Sequence, residues 1–130
     1  MSSIFSQIVA GEIPCHKVAE DEQHLAFLDI NPNAVGHTLC IPKKETDKLF
    51  DLAEEEYTAL MAFSRKVALA LEQAVPCKRI GLSVIGLEVP HVHVHLIPLH
   101  NMANATFGKK VSQSPAELAE TAQKIQQYLY

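Results

Sequence analysis

Apolar residues recur along this chain with two different periods. From Asp51 to Pro76, Tyr57, Leu60, Met61, Ser64, Val67, Ala68 and Leu71 follow one another at spacings of three and four, the mark of a helix with one buried face. Asp51 with Glu54 resembles a capping box, and Pro76 closes the run, so the spacing predicts one long helix of about 20 residues. Ser114-Pro115-Ala116-Glu117 reads as a second helix start with Pro in the first turn, and Leu118, Thr121, Ala122, Ile125 and Leu129 supply its apolar stripe. A short helix over residues 4–8, capped by Ser3 and ended by Gly11, opens the chain. The remaining apolar segments are short and bounded by turn residues. Residues 16–30 read as two strands joined at Glu20-Asp21-Glu22, the second running from His24 to Ile30. Residues 37–41 form a third, closed by Pro42, and 79–85 and 92–99 two more around Gly86-Leu87-Glu88-Val89-Pro90. Strands so close in sequence pair as hairpins, which predicts an α+β fold with an antiparallel sheet. No repeat or linker divides residues 1–130, which read as a single domain. Residues 100–113, rich in Asn, Ala, Gly and Lys, are the best candidate for a mobile segment.

Charge narrows the partners. The formal net charge is −4, and basic residues cluster only as Lys43-Lys44, Lys78-Arg79 and Lys109-Lys110, so a nucleic-acid partner is not expected. No apolar run approaches the ~20 residues of a membrane span, and the first residues lack the pattern of a signal peptide, so no membrane association is expected and the cytoplasm is the expected location. Cys15, Cys40 and Cys77 are odd in number and scattered, which points to small buried thiols rather than a disulfide framework.

Candidate chemistry is concentrated in His91-Val92-His93-Val94-His95-Leu96-Ile97-Pro98. In an extended strand His91, His93 and His95 share one face, about 7 Å apart, while Val92, Val94 and Leu96 line the other. The apolar face explains burial; three stacked imidazoles have no packing rationale and point to a site. A zinc site is the main alternative, but first-to-last separation is about 13 Å in a strand, so an ion would need His37 or a carboxylate as well. His16, His24 and His100 read as surface residues without a role.

The run 91–98 resembles the signature of the histidine triad (HIT) nucleotide-binding family, most nearly its Hint branch. Two further blocks agree. Residues 4–14 resemble the family's opening segment, and Ala26-Phe27-Leu28-Asp29-Ile30-Asn31-Pro32 through Gly36-His37 to Lys43-Lys44 its purine-nucleoside half. The resemblance, covering residues 4–99, implies a five-stranded antiparallel sheet with one long helix, a short N-terminal helix and a C-terminal helix, paired as a homodimer through the long helix and a sheet edge. It implies that Ile4, Phe5, Ile8 and Phe27 form an apolar slot for a purine and that Asp29 accepts from the ribose hydroxyls. His93 would be the nucleophile that attacks an α-phosphorus, forming a nucleotidyl-imidazole. His95, as imidazolium, would stabilise charge or protonate the leaving group, and His91 and His37 would support the site. From the residues alone, the four apolar side chains could equally be ordinary core and Asp29 a turn residue.

Three positions depart from the family pattern. Gly86 is followed by Leu87, where many relatives carry Gln, so one phosphate contact is expected to be lost. Glu88 places a carboxylate near the leaving group, which repels a polyphosphate but suits a protonated amine. Ser83 is the only stand-in for an Asn that touches phosphate in relatives. Some relatives also hold a structural zinc on a CxxC and a His; here those positions are Ser3, Ser6 and Glu45, so no such zinc, and no other cofactor or metal, is expected. The expected activity is purine nucleoside phosphoramidate hydrolysis, with dinucleoside polyphosphate hydrolysis or a non-catalytic nucleotide-binding role as alternatives.

Overall fold

The computed structural model describes residues 2–129. Five strands, β1 (Lys17–Glu20), β2 (His24–Leu28), β3 (Thr38–Pro42), β4 (Arg79–Ser83) and β5 (Val94–Leu99), form one antiparallel sheet in the order β1-β2-β3-β5-β4. With helices α1 (Ile4–Val9), α2 (Glu54–Ala74) and α3 (Pro115–Gln126), this is the α+β arrangement expected. Alternation in the central strands sends their side chains to two different cores. Ala26, Leu28, Cys40, Val94 and Leu96 pack with Leu60, Phe63, Val67, Ala70 and Leu71 of α2 and with Leu118, Ala122 and Ile125 of α3. On the opposite face Leu25, Phe27, Leu39 and Ile41 pack with Phe5 of α1. Leu39 pairs with both Phe27 and His95, so the second face leads directly to the histidines.

Several elements differ from expectation for identifiable reasons. β5 begins at Val94 rather than at residue 92, because His91 N–H donates to the Val89 carbonyl and Val92 N–H to the Thr46 carbonyl, each at 2.8 Å, outside the sheet ladder. α2 starts after Ala53, not at Asp51, which lies in its own 3₁₀ turn, Leu49–Asp51. Only half a capping box is formed there, Glu56 Oε1 accepting from Ala53 N–H at 3.0 Å. α3 has both halves: Ser114 Oγ accepts from Glu117 N–H at 3.1 Å and Glu117 Oε1 from Ser114 N–H at 2.8 Å.

His24 is buried rather than on the surface. Its ring stacks on Phe63 at 4.9 Å, with Nδ1 at 2.9 Å from Asp21 Oδ1 in the β1–β2 turn. Residues 100–113 are tied down rather than loose. A 3₁₀ turn, Met102–Ala105, is closed by Asn101 and Asn104 side chains, Val111 N–H donates to the Pro32 carbonyl at 2.9 Å, and Asn33 Nδ2 donates to the Asn104 carbonyl at 2.8 Å. Cys15, Cys40 and Cys77 are free, but only Cys40 is buried; burial pushes its thiol up to about 12. Among the described residues no helix is long and apolar enough to cross a membrane.

Candidate active site

Each of the four histidines at the end of the sheet is held in a defined tautomer by its neighbours. His91 Nε2 lies 2.8 Å from the Pro42 carbonyl; a carbonyl can only accept, so Nε2 carries the proton and Nδ1 accepts from Ser3 Oγ at 2.7 Å. His93 Nδ1 lies 2.7 Å from the His91 carbonyl and must donate to it, which leaves His93 Nε2 with a free lone pair. Asn33 N–H donates to His37 Nδ1 at 2.9 Å, so His37 Nε2 carries its proton and donates to His95 Nδ1 at 3.0 Å. His95 therefore presents Nε2–H outward.

Charge agrees with this chain of bonds. Burial, with help from His95, Lys110 and His93, holds His37 down to about 3. Burial, with His93 and Lys110, holds His95 down to about 4. Both rings are neutral at physiological pH, so His95 offers a neutral hydrogen-bond donor where an imidazolium was expected. Burial also lowers His91, opposed by its bond to Pro42 and by Glu45. Asp29 moves up through burial, opposed by the Asn31 N–H that bonds Oδ1 at 2.8 Å.

The rings form a row. Phe27 meets Phe5 edge-on at 5.6 Å, Phe5 meets His93 at 4.9 Å, His93 meets His95 at 4.9 Å, and His95 meets Phe107 at 4.8 Å. The His93 and His95 rings, 4.9 Å apart, lie closer than the 7 Å repeat of same-face positions along a strand.

This row lines a cavity of about 640 Å³. Of the expected binding residues, Ile4, Phe5, Ile8, Phe27, Asp29, Gly86 and Glu88 are on its wall with His93 and His95. His37 and His91 lie behind it, bonded to wall residues. Ser83 does not reach the wall: it pairs with His95 across the sheet, and its Oγ is buried without a partner. Sequence reasoning missed Thr106, Phe107 and Lys110, which complete the wall on the side of His95. The signal available was the aromatic-basic run Phe107-Gly108-Lys109-Lys110, set aside because its composition suggested a loop.

Two possible metal positions do not fit their donor sets. Asp29, His37 and His95 converge, each offering a ligand atom within 4.8 Å of the others. However, Asn33 N–H donates to His37 Nδ1, so His37 Nε2, the nitrogen that faces Asp29 and His95, carries a proton rather than a free lone pair. At Ser3, Ser6 and Glu45, the positions weighed above for a structural zinc, Glu45 Oε1 accepts from Ser3 N–H at 2.6 Å and Ser6 Oγ at 2.7 Å, while Ser3 Oγ bonds His91. Serine hydroxyls replace the thiolates that zinc prefers, and hydrogen bonds clasp α1 to the triad instead.

The HIT domain family pattern matches residues 10–102, and the chain belongs to that family. An adenosine 5′-monophosphoramidase of Schizosaccharomyces pombe is 41% identical over 103 residues, 78% of this chain and 77% of that one. A second adenosine 5′-monophosphoramidase, from Saccharomyces cerevisiae, is 40% identical over 96 residues, 73% of this chain and 61% of that one. Among solved structures, a Hit-like protein involved in cell-cycle regulation from Bartonella henselae superposes with a TM-score of 0.86 at 31% identity, covering 98% of this chain and 96% of that one.

Proposed function

We propose that the protein is a purine nucleoside phosphoramidate hydrolase that works through a nucleotidyl intermediate on His93. The observation that carries this reading is the 2.7 Å bond from His93 Nδ1 to the His91 carbonyl, which turns a bare Nε2 into a cavity large enough for a nucleotide. The two monophosphoramidase relatives support the same reaction class. A purine lies in the slot of Ile4, Phe5, Ile8 and Phe27, and its ribose hydroxyls donate to Asp29. His93 Nε2 attacks the α-phosphorus, the P–N bond breaks, and the amine leaves with a proton from water. Neutral His95 donates through Nε2 to a phosphate oxygen while charge builds up. Water then cleaves the nucleotidyl-imidazole, restoring His93 and releasing the monophosphate. Glu88 at the rim suits a protonated amine over a polyphosphate.

The active assembly in this proposal is a homodimer. β4 is one of the two outer strands of the sheet, with Leu82 53% exposed, and α2 exposes Leu69 and Tyr57. Quenched mass spectrometry with an adenosine 5′-phosphoramidate tests the chemistry. The wild type should carry an acid-labile nucleotidyl adduct and release the monophosphate, and His93→Ala should do neither. Tight nucleotide binding with no adduct and no turnover would refute hydrolysis and leave a binding module.

A further inference from the structure

Among the described residues of the cavity wall, Lys110 is the only lysine or arginine. The wall also holds two carboxylates, Asp29 and Glu88, and the neutral ring of His95. Leu87, on the opposite loop, has no polar side-chain atom, and Ser83 is turned away from the wall.

Lys110 is an exposed residue whose ammonium is nonetheless tethered. Its Nζ donates to Asn33 Oδ1 at 2.7 Å and sits 5.0 Å from the centre of the Phe107 ring. Asn33 is almost fully buried, and its backbone N–H is the group that orients His37. Phe107 is the only non-glycine with positive φ among the described residues, at 62°, a conformation a bulky side chain adopts only when its surroundings require it. Here that conformation brings the ring against His95. An ammonium has three donors, and the bond to Asn33 uses one. Its positive charge is felt at Asp29, His37 and His95.

We propose that Lys110, carried on the anchored strap between β5 and α3, binds a non-bridging oxygen of the substrate's α-phosphate and is the principal cationic contact of the site. This rests on the nucleotide reading of the cavity. Asn33 then serves both sides of the phosphate, aiming Lys110 with its side chain and the His37–His95 pair with its backbone.

Calorimetric titration with adenosine 5′-monophosphate and with adenosine separates the two ideas. The wild type should bind the monophosphate more tightly than the nucleoside. Lys110→Met keeps the aliphatic stem over Phe107 and should weaken monophosphate binding by about 10- to 100-fold, the worth of one charge-assisted hydrogen bond. It should leave adenosine binding unchanged, Lys110→Arg should recover most of the loss, and Lys109→Met should bind like the wild type. In turnover the Lys110→Met defect should fall mainly on KM. If Lys110→Met weakens both ligands equally, or neither, while the wild type binds the monophosphate, the role assigned to Lys110 is wrong and the nucleotide reading survives. If the wild type binds neither ligand, both fall.

Discussion

Gly36 governs how His37 approaches the triad. At φ +95° it occupies a region that L side chains avoid, and a Cβ there would lie 3.0 Å from Leu71 Cδ1 and Val75 Cγ2. Gly36→Ala should therefore destabilise the fold by about 1–3 kcal/mol, measured by urea unfolding. Proton linkage makes a second residue-scale prediction. His37 and His95 titrate near 3 and 4 in the fold, against 6.5 in an unfolded chain. Between those values the unfolded chain binds more protons, so these rings cost no stability above about 6.5, and stability falls as the pH drops from there towards 4. Each ring contributes a slope of up to about 1.4 kcal/mol per pH unit. Urea unfolding of the wild type at pH 7 and pH 5 should show the decline, and His37→Asn should show a shallower one; equal slopes would mean His37 is not buried neutral. The triad itself was plain in the sequence as three alternating histidines. Its tautomers were not, because they depend on the carbonyls of Pro42 and His91 and the N–H of Asn33, main-chain groups that side-chain identity does not announce.

Among the elements, α3 was legible from its spacing, with Leu118, Thr121, Ala122 and Ile125 all buried, whereas α2 followed its spacing only in part: Leu60, Ser64, Val67 and Leu71 are buried, but Tyr57 is exposed, Met61 and Ala68 are half-buried, and Phe63 and Ala70 face the core instead. Leu71 is fully buried in that layer, and Leu71→Ala should cost about 2–5 kcal/mol in chemical denaturation. Strand ends were less legible: the alternation already runs through His91 and Val92, whose N–H groups bond to the Val89 and Thr46 carbonyls outside the sheet, and no pattern of side chains announces where backbone bonds go. α1 is short and depends on its clasp. Glu45→Ala removes the acceptor for both Ser3 N–H and Ser6 Oγ–H. Amide exchange in residues 4–9 should accelerate, and nucleotide affinity should fall because Phe5 is carried on that helix, while α3 exchange stays unchanged. The strap at 100–113 was misread because Asn and Gly suggest mobility, whereas here Asn33, Asn101 and Asn104 use their amides to fasten it.

Taken as one molecule, the protein builds its cavity from stretches far apart in sequence: α1 and the turn after it, β2 and its following loop, Leu39 of β3, residues 85–95, and the strap. The two flanking stretches contribute the rings that bracket the histidines, so the site is more dispersed than its signature. The exposed edge of β4 carries the prediction at this scale. Light scattering should give twice the chain mass for the wild type, and Leu82→Lys should shift it towards the monomer; a wild-type monomer would remove the dimer from the proposal. The bond that aims His93 has its acceptor in the main chain at His91. No side-chain replacement at position 91 can delete that oxygen, so the mutational landscape splits there. Variants of His91 act on the α1 clasp, whereas reorienting the His93 ring requires a change that moves the peptide itself, such as an insertion, a deletion or a shift in the 86–90 loop.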